Sequence, residues 1–117
     1  MTRFMLKSKL HRARLTGTEL AYEGSITIDR TLMDAADLLP GEQVHVLNVH
    51  NGSRIVTYVI EGPADSGTVL LNGPAARLGQ AGDPVIVLSY CQLSEEDARR
   101  HQPRVVLVDE GNRPRIP

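Results

Sequence analysis

The chain is poor in the residues that several functional classes require. Its 117 residues include no Trp, one Phe and three Tyr. Proteins that bind single-stranded nucleic acid stack the bases on aromatic side chains, so such platforms are largely missing. The formal net charge of −1 also argues against a broad phosphate-binding face. We therefore expect no nucleic-acid partner.

Cysteine and long apolar runs are equally scarce. The single Cys91 cannot form a disulfide within the chain, and its apolar neighbours favour a small buried side chain. The longest apolar runs, at 85–88 and 105–108, are far shorter than a membrane span, and the N-terminus lacks the apolar core of a signal peptide. We expect no membrane partner, a cytoplasmic location and a single domain over residues 1–117.

Positive charge is concentrated near the N-terminus, where five basic residues precede the first acid: Arg3, Lys7, Lys9, Arg12 and Arg14. Such a run is typical of a solvated strand face. A transit-like segment is the alternative, although a Ser-rich amphipathic pattern is missing. The four histidines, at 11, 45, 50 and 101, lack metal-ligand spacing and Cys partners, which predicts structural or exposed side chains and no metal site.

The pattern of apolar and polar residues predicts a mainly β protein with short helices. Strands are predicted at 4–15, 25–29, around Val44 and Val46, and at 54–60, 68–71, 84–93 and 104–108. Asp29 and Ser94 are predicted helix N-caps, and Pro40-Gly41 closes the first helix, which extends to Leu39. One helical turn is predicted at 75–78, and residues 109–117 are expected to form a loose tail.

The chain also contains an internal repeat. The segment SITIDRTLMDAADLLPGEQVHVL, from Ser25, aligns with SGTVLLNGPAARLGQAGDPVIVL, from Ser66, at a constant offset of 41 residues, 66 − 25. Each copy reads as strand, short helix, Gly-acid turn and strand, although chance similarity of two such stretches is the alternative. Two copies of one unit in a small β chain predict a pseudo-twofold barrel.

Gly24 and Ser25 stand just before a clearly alternating strand. Taken alone, this dipeptide is typical of a turn, because Gly supplies backbone freedom and Ser is a common turn residue. The sequence has no Gly-x-Ser-x-Gly nucleophile elbow. The glycines at 79 and 82 are not followed by Lys-Ser or Lys-Thr and therefore do not form a phosphate loop.

Five ordered blocks of the sequence closely resemble the pyruvoyl-dependent aspartate 1-decarboxylase family, from Met5 to about Val108. They are MLKSKLHRARLT (5–16), YEGSITID (22–29), LMDAADLLPGEQV (32–44), NGSRIVTY (51–58) and NGPAA (72–76). The resemblance implies a double-psi β-barrel that assembles as a homotetramer with sites between subunits. It also implies decarboxylation of L-aspartate at its α-carboxylate to β-alanine and CO2, which feeds pantothenate and coenzyme A biosynthesis.

The resemblance gives Gly24-Ser25 a reactive role. In this family the precursor cleaves itself between these residues, and Ser25 becomes a pyruvoyl group that binds the substrate amine as a Schiff base, without pyridoxal phosphate or a metal. The Ser25 hydroxyl is placed to attack the Gly24 carbonyl, and a glycine there permits a strained peptide and an open approach. A maturation protein is a further partner that some such enzymes need.

The family's other site positions can be carried over residue by residue. Lys9 and Arg54 match carboxylate-binding positions, Tyr58 the proton donor to the carbanion, and Thr57 and Asn72 the groups around the scissile carbonyl, with Thr57 most closely tied to processing. Gly73, Ala75, Tyr22 and His11 match residues that line the pocket. In a regular strand Arg54 and Tyr58 share a face that Thr57 does not, which leaves open a bulge or a site that wraps a strand edge at a subunit boundary.

Two positions depart from the family pattern. Pro74 stands where relatives usually have Ala and removes one backbone donor near the pocket. Leu47 occupies a position that is often aromatic, which affects the packing there. The alternative function is a non-catalytic barrel that binds a protein or nucleic acid through its basic N-terminal strand, because a fold does not fix a function.

Overall fold

The computed structural model of the protein describes residues 1–115, and within them short helices connect the strands of one eight-stranded sheet. The strands are β1 (Thr2–Arg14), β2 (Gly17–Glu19), β3 (Ser25–Asp29), β4 (Gln43–Asn48), β5 (Arg54–Gly62), β6 (Val69–Asn72), β7 (Pro84–Ser94) and β8 (Arg104–Leu107). The helices are α1 (Arg30–Ala36) and α2 (Glu95–Arg100), with a 3-10 helix at Gly73–Leu78. The predicted mainly β class with short helices is confirmed.

The strand order is β2-β6-β3-β5-β4-β7-β1-β8. Strands β1 and β2 are consecutive in the chain although they lie near opposite ends of this order. The connection between them is itself bonded to the sheet, because the Thr16 N–H donates to the Val69 carbonyl at 2.7 Å and the Leu15 N–H to the Asp83 carbonyl at 2.9 Å. A connection between strands near opposite ends of the sheet is compatible with a small β-barrel, and the closed double-psi topology remains a prediction.

The internal repeat is visible in the strand pairing. Residues 41 positions apart pair directly with each other at two places: Ile28 with Val69 in the antiparallel pair β3–β6, and Val46 with Val87 in the antiparallel pair β4–β7. Antiparallel pairing of equivalent residues is what a twofold axis between two copies produces. The repeat is therefore a structural one.

The two Gly-acid turns have the same geometry. Gly41 has φ +84° and Gly82 has φ +94°, left-handed values that favour glycine. In each turn the acid that follows accepts a hydrogen bond from the N–H three residues before it: Leu39 N to Glu42 Oε1 at 3.1 Å, and Gln80 N to Asp83 Oδ2 at 3.0 Å. Both turns then lead into a central strand of the sheet, as predicted.

Apolar side chains from both copies of the repeat form the core. The buried residues include Ile26, Ile28, Leu32, Met33, Val44, Val46, Val69, Leu71, Val85 and Val87. Each buried aliphatic side chain contributes roughly 1.5–3 kcal/mol by leaving water. The pseudo-twofold core fixes the strand register and thereby the position of Ser25, at the start of β3.

The sequence predicted the ends of most helices and strands, and the structure corrects the prediction in two places. Asp29 caps α1, and its side chain accepts from the Thr31 N–H, but the helix ends at Ala36 rather than near Leu39. It stops early because Asp37 adopts a left-handed conformation with φ 56°. Strand β2 was not predicted, since its three residues are defined by parallel pairing with β6 and not by an apolar pattern.

The segment 109–115, which we expected to be loose, makes specific contacts. Asn112 is 3% exposed, and its Nδ2 donates to the carbonyls of Arg14, at 2.7 Å, and Gly67, at 2.8 Å. Val108 and Pro114 form a β-bridge. The rest of the expected tail, residues 116–117, lies outside the described residues. No helix within 1–115 has the length and apolar character needed to cross a membrane.

Candidate active site

The Ser25 side chain lies at the start of β3, opposite Asn72 at the end of β6. It is completely buried. Its Oγ donates to the Glu23 carbonyl at 3.0 Å and accepts from Asn72 Nδ2 at 2.9 Å. The same amide nitrogen donates to Thr27 Oγ1 at 2.9 Å. The hydroxyl beside Gly24 is thus held by Asn72 of β6 and by the segment that precedes β3.

The Asn72 side chain has acceptor capacity that the fold leaves unused. Asn72 is completely buried, and its Oδ1 has no hydrogen-bond partner among the described residues. A buried amide oxygen without a donor is unfavourable by about 1–3 kcal/mol. The Asn72 Oδ1 can therefore accept a hydrogen bond from a donor group that forms next to Ser25 during a reaction.

Gly73 allows the segment before Ser25 to lie directly against the 3-10 helix. Its φ is +63°, and a Cβ at this position would lie 2.6 Å from the Tyr22 carbonyl oxygen and 2.7 Å from the Gly24 nitrogen. Real Cβ atoms essentially never approach closer than 3.0 Å. A side chain at residue 73 would therefore displace the segment 22–24, which carries the Gly24 carbonyl.

Gly24 forms part of the wall of a shallow cavity of about 290 Å³, together with Thr57, Ala75 and Pro74. The left-handed glycines of the described chain do not include Gly24, and a Cβ there would make an ordinary 3.5 Å contact with Pro74 Cδ. The strain that we expected at Gly24 is therefore not found in its φ. The open approach to Gly24 that we expected agrees with its position in the wall of the cavity.

Strand β5 presents its site residues on two faces. Its register with β4 is continuous, from Leu47 opposite Arg54 to Gln43 opposite Tyr58, and contains no bulge. Thr57 pairs with the fully buried Val44 and faces the core side, whereas Arg54 and Tyr58 lie on the outer face. The bulge alternative is thus excluded for this stretch.

Tyr58 is connected to the segment that precedes Ser25. Its hydroxyl donates to Glu23 Oε2 at 3.2 Å. Partial burial, followed by this hydrogen bond and the nearby negative charge of Glu23, raises the pKa of the Tyr58 phenol. The phenol is therefore protonated at neutral pH and has a proton to donate.

Arg54 is exposed, and its guanidinium Nη1 lies 3.0 Å from Nδ1 of His45 on the neighbouring strand β4. The Ser25 hydroxyl instead bonds to groups from β6 and from the segment before β3. Within one chain, Arg54 therefore shares no hydrogen-bond partner with the buried hydroxyl.

Lys9 and His11 lie on β1, which β5, β4 and β7 separate from β3 in the sheet order. His11 lines a different cavity, of about 210 Å³, beside Arg12 and Arg14. Burial, and then the positive charges of Lys9 and Arg12, lower the pKa of the His11 imidazole. One chain therefore gathers Ser25, Asn72, Gly73, Gly24, Thr57 and Ala75, with Tyr22, Glu23 and Tyr58 beside them, but not Lys9 and His11.

This geometry agrees with what is found when the chain is compared with known proteins. The family model described as aspartate decarboxylase matches residues 1–115. The chain belongs to the aspartate decarboxylase family. Curated relatives named aspartate 1-decarboxylase cover nearly all of it. The protein of Syntrophobacter fumaroxidans is 60% identical over 114 residues, which are 97% of this chain and 92% of the relative.

Two further relatives with the same name agree. The protein of Dehalococcoides mccartyi, strain ATCC BAA-2266, is 62% identical over 93% of this chain and 88% of its own length. That of Thermoanaerobacter pseudethanolicus is 54% identical over 97% of both chains. The resemblance to the aspartate decarboxylase family is confirmed.

The two departures from the family pattern fit their surroundings. Pro74 stands in the first turn of the 3-10 helix, where the N–H it lacks would have no partner within the helix. Leu47 pairs with Arg54 on one side and Ile86 on the other. Neither departure disturbs the contacts of Ser25 and Asn72.

Sequence reasoning missed two side chains that lie next to predicted site residues. Glu23 binds the Tyr58 hydroxyl, and only the fold brings β5 beside the segment before β3. His45 binds Arg54. The Asn51-Gly52 turn was a usable signal for this pair, because it sets the register of β4 on β5 and places residue 45 diagonally across from residue 54.

Proposed function

We propose that this chain cleaves itself between Gly24 and Ser25 and, once cleaved, decarboxylates L-aspartate at its α-carboxylate to give β-alanine and CO2. The observation that carries the proposal is the buried Ser25 hydroxyl, fixed by Asn72 and adjoining the Gly24 carbonyl. Membership of a family whose curated relatives are named aspartate 1-decarboxylase supports the same reaction.

Cleavage uses only the chain's own groups and water. The Ser25 oxygen attacks the Gly24 carbonyl carbon, so that a C–O bond forms, the peptide C–N bond breaks and the hydroxyl proton passes to the freed amine. Loss of the Ser25 α-proton then breaks the Cβ–O bond and releases Gly24 as a carboxylate end. Water hydrolyses the dehydroalanine that remains, which releases ammonia and leaves a ketone.

The residues around position 25 suit this ketone. Asn72 Nδ2 donates to Ser25 Oγ, which leaves with Gly24 on cleavage. This donor is then available to a carbonyl oxygen. The unpartnered Asn72 Oδ1 can accept from the nitrogen that is released. A pyruvoyl group at position 25 supplies an electrophile that binds the substrate amine and withdraws electrons from the bond to the α-carboxylate.

The uncleaved form is closed to substrate. The Ser25 side chain is completely buried, and the segment before it is held by hydrogen bonds from Ser25 to the Glu23 carbonyl and from Tyr58 to the Glu23 carboxylate. Cleavage turns this segment into a chain end that can withdraw. The cut thus both creates the electrophile and opens the approach to it, and the Tyr58 phenol becomes free to protonate the substrate carbanion.

Carboxylate binding requires cations that one chain does not gather at Ser25. Arg54 offers a bidentate guanidinium and Lys9 a compact ammonium. Yet Lys9 lies on β1, which three strands separate from β3, and Arg54 contacts His45 of β4 rather than the groups around Ser25. We therefore propose a homotetramer in which a neighbouring subunit completes each site. Native mass spectrometry of the cleaved protein tests the assembly directly.

Intact mass measurement of the purified protein tests the cleavage. We expect one fragment that ends at Gly24 and one that begins with the modified residue 25. Ser25→Ala should remain one folded, inactive chain, because it lacks the nucleophile. The matched control is Ser66→Ala, which changes the equivalent serine of the second repeat and should leave cleavage unaffected. Two fragments from Ser25→Ala would end the self-cleavage account.

Carbon-13 NMR with labelled aspartate tests the reaction. The cleaved protein should convert aspartate to β-alanine without added pyridoxal phosphate. A chain that stays intact and binds DNA or protein in a salt-sensitive manner would instead indicate a non-catalytic barrel.

A further inference from the structure

The contact between Arg54 and His45 indicates a role for His45, a residue that has no part in the proposed reaction. The Arg54 guanidinium lies 3.0 Å from His45 Nδ1. A guanidinium has donors and no acceptors, so Nδ1 must be the unprotonated nitrogen and Nε2 must carry the ring proton. We infer that His45 is a positioning residue that holds Arg54 in the orientation in which it binds a substrate carboxylate, an inference that rests on the proposed function.

The fold fixes the His45 ring in place. Strand β4 lies between β5 and β7, and His45 pairs with Val56 on one side and Leu88 on the other. The ring packs edge-on against Tyr90, with centroids 5.0 Å apart and an interplanar angle of 66°. This is a favourable aromatic geometry. The acceptor nitrogen is thus presented from a rigid central strand.

Arg54 needs such an anchor. It is exposed, and no carboxylate of residues 1–115 forms an ion pair with it. A free arginine side chain carries about 2 kcal/mol of rotamer entropy, part of which is lost when it binds a ligand. A contact that restricts the side chain beforehand lowers this cost.

A neutral imidazole suits this role better than an acid. An Asp or Glu partner would neutralise the guanidinium and compete with the substrate carboxylate for its donors. Nδ1 of His45 occupies one donor and leaves the charge and the remaining donors available. The adjoining cavity, of about 530 Å³, contains no acid among its lining residues, which are Phe4, Gln43, His45, Tyr90, Cys91 and Gln92.

Steady-state kinetics of three variants test the inference. His45→Leu removes the acceptor and should raise the KM for aspartate about tenfold, the effect expected for one hydrogen bond to a charged group, with kcat and self-cleavage near parental values. His45→Asn should restore most of the affinity, because its Oδ1 lies near the position of Nδ1. The matched control is His50→Leu, in an exposed turn after β4, which should keep the parental KM.

The outcomes separate the inference from the proposed function. A parental KM in His45→Leu, or a His45→Asn variant as impaired as His45→Leu, would overturn the role of His45 while aspartate turnover stands. A cleaved parent protein that releases no β-alanine would overturn both.

Nitrogen-15 NMR of the parent protein, with its histidines labelled with nitrogen-15, provides a test that does not depend on whether His45→Leu folds. The His45 Nδ1 resonance, assigned by its loss in His45→Asn, should be that of an unprotonated acceptor and should shift in Arg54→Ala. A protonated Nδ1, or a resonance that Arg54→Ala leaves unmoved, contradicts the inference.

Discussion

Replacement of Gly73 by Ala should slow self-cleavage while the protein still folds. Gly73 has a left-handed φ of +63°, and its added Cβ would lie 2.6 Å from the Tyr22 carbonyl oxygen, 2.7 Å from the Gly24 nitrogen and 2.9 Å from the Glu23 carbonyl carbon. These are backbone atoms and cannot rotate away. The segment that carries the scissile bond must therefore move.

The expected effect has two parts. A left-handed backbone at a residue other than Gly costs roughly 1–2 kcal/mol, which lowers the free energy of unfolding. The collision adds a displacement that takes the closest contact from 2.6 Å to at least 3.0 Å. Since a misplacement of about 1 Å can slow a reaction on the order of a hundredfold, we expect cleavage to slow about tenfold.

Gly41→Ala provides the matched control. Gly41 also has a left-handed φ, +84°, but a Cβ there would meet nothing within 4 Å. This variant should lose a similar backbone contribution, about 1–2 kcal/mol, and cleave at the parental rate. The assay is a time course of fragments on a denaturing gel, with a thermal melt of each variant. A folded Gly73→Ala protein that cleaves as fast as Gly41→Ala would refute the reasoning.

Three further predictions concern single side chains. Arg54→Ala should cleave normally but raise the KM for aspartate about tenfold or more, and an unchanged KM would remove it from substrate binding. Tyr58→Phe should cleave normally and release β-alanine on the order of a hundredfold more slowly, so turnover at the parental rate would exclude its phenol as the proton donor. Burial raises the pKa of the Glu42 carboxyl, but hydrogen bonds from Lys7, Ser89 and a backbone N–H outweigh burial and lower it overall. Its stabilising contribution should therefore be present at neutral pH and disappear as the pH falls through the lowered folded-state pKa. Thermal melts of Glu42→Gln should accordingly approach those of the parent protein as the pH falls below this pKa, and a constant difference would contradict this assignment.

Local sequence signals predicted the fold wherever a short segment determines its own structure. The alternation at 25–29, the Asp29 cap and the Gly-acid turns follow from neighbouring residues, and the structure reproduces each of them. Strand β2 escaped prediction because its hydrogen bonds depend on distant partners. We expect a loose tail around Asn112 from its polar neighbours in the sequence. The structure shows that its buried amide bonds to Arg14 and Gly67, which are distant in the chain.

The candidate site was predictable only in part. The resemblance identified Ser25, Thr57 and Asn72, and the fold brings Asn72 to Ser25 across the β3–β6 pair. That Lys9 lies apart from them is a property of strand order, which no local pattern encodes. The contact of His45 with Arg54 required the register of two strands and the direction of two side chains.

The twofold relation between the repeats has a consequence for how a reactive bond can arise in a duplicated fold. The β3–β6 pairing extends to Ser25 and Asn72, yet the equivalent positions, Ser66 and Thr31, do not pair because α1 has already begun at Arg30. Ser66 follows Asp65 instead of a glycine and bonds to the Pro63 carbonyl within its own turn. The duplicated chain thus contains a counterpart of the serine that we propose to be reactive, and strand pairing that continues farther on one side of the axis distinguishes the two.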